Sequence, residues 1–257
     1  MRVTIHPKYK ENAALTTLVH RLPEAFAQNE GELLYDKRNQ VRRFVLPDGL
    51  HLMVKQFHRP NIVQKLCYST FWTNKAQKSY RFGNQLLQLG IGTPEPIAAV
   101  EYKKAGLIER YYFVSDEDTG ISCEEALSVE DSCPMSAKQL EIIDALAHFL
   151  TELHDNGFLH GDANLSNFRL HQTEEGFSFA VIDTNRSKFL SHPASFSQRI
   201  KNLCRISHQR PIIQALAYAY AKHCPSDPEQ TYQGILAATK RFEQHKARTR
   251  KLKKLFK

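Results

Sequence analysis

The sequence predicts an α+β chain of two lobes, an antiparallel-sheet lobe followed by a mainly helical one. Short runs of strand-like composition crowd the first 115 residues, and a long apolar stripe at helical spacing opens the second half. The 257 residues suffice for one large domain or two small lobes, and 42% hydrophobic with 24% charged content is that of a soluble globular protein. No internal repeat or low-complexity linker interrupts the pattern.

Taken in order, "ENAALTTLVHRLPEAFAQ" reads as a helix broken near Pro23. "ELLYD", "QVRRFVLP" and "LHLMVKQF" read as strands, the last two joined as a hairpin by the turn "PDG". "TNKAQKSYRFGNQLLQLG" is a helix with Thr73 or Asn74 as its cap and Gly90 as its stop. "PIAAVEY" and "LIERYYFVS" complete the sheet. After Ser115, "SAKQLEIIDALAHFLTELHDNG" places Leu140, Ile143, Ala147, Leu150 and Leu153 on one stripe, and Gly157 ends it. "NFRLH" and "FSFAVID" are strands flanking a turn at Gly176, and helices follow. This divides the chain into a first lobe of residues 1–115, a helical lobe of residues 116–239 and a basic C-terminal helix of residues 240–257.

The chemistry concentrates in "GFLHGDANLSNFRL" and "FAVIDTNR". Asp162 precedes Asn167 by five residues, and Asp183 follows an apolar strand. One carboxylate free to face a hydroxyl, one amide oxygen and one further carboxylate are the set that magnesium-dependent phosphoryl transfer needs. The cation on the phosphates would be Lys55 in "LMVKQF", where strand alternation puts Met53 and Lys55 on one face, Leu52 and Val54 on the other. His160 reads as a residue holding the loop. Arg186 reads equally as a ligand for an acidic substrate or as an ion-paired arginine. The other histidines show no zinc spacing.

"LHGDANLSN", "VIDTNR" and "VKQF" resemble the protein-kinase-like fold. With "RNQVRRFVLPDGLHLMVKQFHRPN", "NKAQKSYRFGNQLLQLGIGTPEPIA" and "YYFVS", the chain more closely resembles the bacterial lipopolysaccharide core kinases that phosphorylate Kdo and heptose, over roughly residues 30 to 210. The resemblance implies Lys55 on the phosphates of ATP, Asp162 as catalytic base, and Asn167 and Asp183 as ligands of Mg2+ or Mn2+. It implies an adenine-binding hinge at residues 114–117, with Val114, Ser115 and Asp116, and Met53 beside Lys55, on the nucleotide.

The departures from the pattern are specific. "DKRNQVRRF" stands where a Gly-rich loop would lie, with Arg38, Arg42 and Arg43 as phosphate contacts or simply an exposed hairpin face. No Asp or Glu occurs between Lys55 and Glu95, so the helix Glu that pairs such a lysine is missing. Lys55 then pairs with Asp183 and phosphate alone, or with a polar substitute such as Ser79 or Asn84. Gly161 replaces the arginine that reads a phosphorylated activation loop, and little chain separates Asp183 from the helix "SFSQRIKNLCRI". Both features favour a sugar hydroxyl acceptor over a peptide. A small atypical Ser/Thr protein kinase and a nucleotide-binding pseudokinase are the rival readings.

Nine basic residues and Glu243 lie in residues 240–257, which accounts for the whole net charge of +8. With Leu252, Leu255 and Phe256 as a weak apolar stripe, this tail reads as a contact to an anionic membrane surface or as a solvated helix, and nucleic acid is not the expected partner. The N-terminus lacks a signal-peptide h-region, and the five cysteines, Cys133 among them, form no C-x-x-C pair. The expected setting is cytoplasmic, at the inner face of the bacterial inner membrane, with a lipid-linked sugar as acceptor.

Overall fold

A computed structural model of the chain describes residues 1–128 and 134–255. Cys133, Phe256 and the side chain of Leu255 lie outside the described residues. The chain divides into two compact units: residues 1–119 with 183–185, and residues 120–182 with 186–257.

The first unit is built on β1 (Arg2–Ile5), α1 (Ala13–Ala27), β2 (Glu32–Asp36), β3 (Gln40–Val45), β4 (His51–Gln56), α2 (Ile62–Thr70), α3 (Lys75–Gln88), β5 (Pro96–Lys104) and β6 (Leu107–Asp116). The strands form an antiparallel sheet in the order β1-β5-β6-β4-β3-β2. Strand alternation sorts β4 as its sequence requires: Leu52 and Val54 are fully buried, Met53 and Lys55 are not. The core sets Leu15, Leu18, Leu22 and Phe26 of α1 against Leu52, Val54, Ile97, Val100, Tyr112 and Val114. Each such side chain contributes about 1.5–3 kcal/mol by leaving water.

The expected break at Pro23 does not occur. Pro23 lies inside a continuous α1. Its missing N–H orphans the carbonyl of Val19 four residues earlier, and the Tyr102 hydroxyl from β5 donates to that carbonyl. Two elements of the first unit escape the sequence reading: β1, which pairs Arg2–Ile5 with β5, and α2. The capping box Asn61–Gln64 is the local signal for α2. Its apolar residues gave no core stripe because none of them is buried.

The second unit contains β7 (Ile121–Ser122), α4 (Cys123–Ala126), α5 (Ala137–Asp155), β8 (Phe158–Leu159), β9 (Phe168–Thr173), β10 (Gly176–Val181), β11 (Lys188–Phe189), α6 (Phe196–Leu203), α7 (Arg210–His223) and α8 (Pro228–Leu255). Strands β10, β9 and β7 make one small sheet and β11 with β8 another. A Ser136–Gln139 capping box starts α5, and Gly157, at φ 71°, follows its end. The stripe of α5 is buried at Ile143, Ala147, Leu150 and Leu153, but Leu140 is 48% exposed, one turn from the helix start. The basic tail is the second half of α8. Its first half is anchored by Thr231 and Ile235, both fully buried, and by the Thr239 hydroxyl on the Cys204 carbonyl at 2.9 Å. Among the described residues no helix is long and apolar enough to cross a membrane.

Candidate active site

In the first unit Lys55 Nζ lies 2.8 Å from Asp183 Oδ1 and 5.4 Å from the centre of the Phe57 ring. Asn185 Nδ2 also donates to Asp183 Oδ1. Thus Lys55 pairs with Asp183. Asn84 Nδ2 is spent on the Tyr80 carbonyl, and Ser79 is buried in α3. Asp183 lies two residues beyond the end of β10, at φ 56°, in the left-handed region. A carboxylate residue held there stores local strain that functional sites commonly keep.

The neighbouring residues of the first unit separate by role. Met53 pairs with Ser115 and Val54 with Val114 in the β4–β6 register. Val114 is fully buried, and the Asp116 amide donates to the Glu95 carbonyl at 3.1 Å. Burial raises the Asp116 carboxyl to about 6. Its Oδ1 has no hydrogen-bond partner among the described residues. Arg38 is exposed in the β2–β3 turn. Arg42 is not available to phosphate: it is 3% exposed and donates to the carbonyls of Asn29, Glu30 and Gly31, where α1 ends. Arg43 is likewise engaged, by Glu32 and Glu117.

In the second unit the loop around Asp162 is held from several sides. His160 Nε2 meets the Ile182 carbonyl at 2.9 Å, and His160 Nδ1 accepts from the Asp162 amide at 3.1 Å. One nitrogen donating and one accepting is the neutral imidazole. Asn202 of α6 donates to the His160 carbonyl at 2.7 Å, and its Oδ1 accepts from the His160 amide and from His154 Nε2. Burial pushes His154 down to about 4, so this ring is neutral too. Gly161 has no room for a side chain, since a Cβ would lie 2.2 Å from the Arg186 carbonyl.

This framework holds Asp162 and Asn167 on one turn. Asn167 Nδ2 donates to the Asp162 carbonyl at 2.8 Å, which leaves Oδ1 as the donor atom for a cation and fits the side chain to a magnesium-type site. The Asp162 carboxylate meets Arg205 at 2.6 Å, Asn164 Nδ2 at 3.1 Å and Arg186 at 4.0 Å. Arg186 is therefore near the loop carboxylate. The sequence reading missed Arg205, because nothing local in "CRIS" marks it; the Leu165 amide bonded to the Ile206 carbonyl brings its segment to the loop. Arg205 also stacks on Phe242 of α8 at 4.8 Å. Asn164, Ser166, Arg205, Phe242 and Lys246 line a cavity of about 470 Å³. Phe242, Glu243 and Lys246 of the basic segment are thus part of the wall around this loop.

A solved structure described as "WaaP in complex with acyl carrier protein" matches the chain with a TM-score of 0.62 at 17% identity, covering 95% of this chain and 99% of that one. The kinase domain of Mycobacterium tuberculosis PknI matches with a TM-score of 0.42 at 17% identity, over 77% and 74% of the two chains. None of the curated proteins matches in sequence. The fold is protein-kinase-like, as in the WaaP structure, and the class is a phosphotransferase acting on an alcohol group. The profile of the lipopolysaccharide kinase (Kdo/WaaP) family matches residues 24–220, and the chain belongs to that family. It is a kinase of a lipopolysaccharide core sugar.

Proposed function

We propose that the protein transfers the γ-phosphoryl group of ATP to a hydroxyl of a lipid-linked core sugar, with Asp162 as the base. The observation that carries this reading is the setting of Asp162, a carboxylate fixed by its own loop and flanked by two arginines. Arg205 and Asn164 occupy Oδ1, so Oδ2 takes the proton of the acceptor hydroxyl. As that proton leaves, the hydroxyl oxygen bonds to the γ-phosphorus, and ADP departs with the electrons of the broken bond. Lys55 binds the phosphates and Asp183 orients Lys55. Met53, Ser115 and Asp116 border the adenine with the backbone of Val114, whose side chain is in the core against α1, and Arg38 meets the phosphates from the β2–β3 turn. Mg2+ or Mn2+ on Asp183 and Asn167 supplies neutralisation of phosphate charge when bound.

The acceptor sugar fits the cavity lined by Asn164, Ser166, Lys246, Glu124 and Glu243, whose polar wall suits sugar hydroxyls. The setting is the inner face of the bacterial inner membrane, where a lipid-linked acceptor is made. The related structure's complex makes a carrier protein a second candidate partner, tested by co-purification. The reading as a lipid-core kinase is tested with Asp162→Asn. Nucleotide affinity by calorimetry stays near wild type, while turnover falls about 10²–10⁴-fold. Core oligosaccharide from cells carrying only this variant lacks one phosphate by mass spectrometry. Full turnover by Asp162→Asn removes the base assignment.

A further inference from the structure

The residues of α2 and the turn after it form an apolar surface that the phosphotransfer reading does not use. Ile62, Val63 and Leu66 are 74%, 61% and 53% exposed, and Phe71 and Trp72 are 75% and 55% exposed. At about 100° per residue, Ile62, Leu66, Thr70 and Val63 share one sector of the helix. A different sector holds α2 to β6: Lys65 pairs with Glu109, Ser69 Oγ accepts from the Ile108 amide at 2.9 Å, and Tyr68 packs edge-on to Tyr111. The apolar sector is therefore fixed outward by the contacts of the other. The turn is rigid as well, since the amides of Phe71 and Trp72 both donate to the Cys67 carbonyl and the two rings meet edge to face.

The charge around this surface identifies its occupant. Beside α2 the cations Lys65, Arg59 and Lys104 all act on the one carboxylate of Glu109, three positive charges to one negative, and residues 56–94 contain no Asp or Glu. The near-zero net charge of residues 1–239 is thus an average that conceals a positive segment. A second copy docking here by the same face would bring like charge against like charge. An anionic lipid surface supplies the opposite charge and an apolar layer, and tryptophan with basic neighbours is suited to the headgroup boundary. We infer that α2 and the Phe71–Trp72 turn insert into the interfacial layer of an anionic membrane. This surface belongs to the first unit and the basic half of α8 to the second, and the inference stands whichever residues carry out the chemistry.

Trp72 is the only tryptophan of the chain, so its emission reports this contact directly. Vesicles of phosphatidylglycerol mixed with phosphatidylcholine should shift Trp72 emission to the blue, protect it from iodide, and allow quenching by lipids brominated on the acyl chain. Phosphatidylcholine alone should bind much more weakly. Ile62→Ser with Phe71→Ser keeps the reporter and should weaken partition at least about tenfold, with circular dichroism and melting temperature unchanged. Replacing Arg248, Arg250 and Lys251 by glutamine should leave the quenching depth of Trp72 in the bound protein unaltered, whatever its effect on affinity. The inference is overturned if vesicles bind while Trp72 stays open to iodide. A blue shift that follows protein concentration without lipid, or equal partition by the double variant, overturns it too.

Discussion

Removing the Asn202 side chain probes the frame of the Asp162 loop without touching any reacting group. Asn202→Ala deletes the bond to the His160 carbonyl at 2.7 Å and the two accepted from the His160 amide and His154 Nε2, at 3.3 and 3.1 Å. Each such bond is worth about 1 kcal/mol net, so the loss is about 3 kcal/mol. For a chain of this size that lowers the melting temperature by about 6–12 °C. The catalytic consequence is larger than the thermal one, because a loop displaced by about 1 Å costs about 10²-fold in rate. Scanning calorimetry with turnover at a temperature below both transitions separates the two effects. Asn156→Ala is the control, since its amide bonds only to the exposed Glu152 carbonyl of its own helix, and it should fall within about 0.5 kcal/mol of wild type. Full activity in Asn202→Ala with a shift no larger than the control would show that the loop does not depend on this frame.

Asp183→Ala should abolish metal-dependent ATP binding more completely than Asn167→Ala, because the carboxylate pairs with Lys55 and, in the proposed mechanism, also carries the charge that would hold the ion; equal, metal-independent affinity in a calorimetric titration would remove the assignment. Tyr102→Phe should destabilise the protein by about 1–3 kcal/mol by orphaning the Val19 carbonyl. In the Pro23→Ala background that cost should largely vanish, since the substituted alanine supplies the missing N–H, and an additive pair of denaturant midpoints would refute the explanation of the proline. Asp116, raised by burial from 3.8 to about 6, binds its proton more tightly folded than unfolded. The protonated form is therefore stabilising below about pH 4, and this contribution is lost as pH rises to about 6. Asp116→Asn should gain stability over wild type above pH 6 and lose that gain below pH 4, and a pH-independent difference in melting temperature would contradict it.

Local chemistry determined much of this protein. Alternation of large apolar residues defined β4 and set Lys55 on the face opposite the core, because a strand has only two faces and one of them must leave water. The stripe of α5 from Ile143 to Leu153, the turn "PDG" and the cap Asn74 were legible for the same reason: each is decided within a few residues. The spacing of Asp162 and Asn167 was legible because both side chains serve one turn, and the structure joins them by the Asn167 bond to the Asp162 carbonyl.

What sequence left undecided depends on partners distant in the chain. Pro23 ends most helices, but here Tyr102, from a strand far along the chain, supplies the donor that the Val19 carbonyl lacks. Arg42 read equally as a phosphate contact or an exposed hairpin residue, and it is neither, because its Nη1 and Nη2 are bonded to residues 29–31 after the end of α1. Arg205 stands beside Asp162 only because the segment after α6 is tied to the loop, and Phe242, Glu243 and Lys246, read as tail, line the cavity there, with Phe242 stacked on that arginine. α2 was passed over for the converse reason: none of its residues is buried and Ile62, Val63 and Leu66 stay exposed, so no core pattern could announce them. Periodicity records which side chains avoid water, and only the tertiary structure shows what each one meets instead.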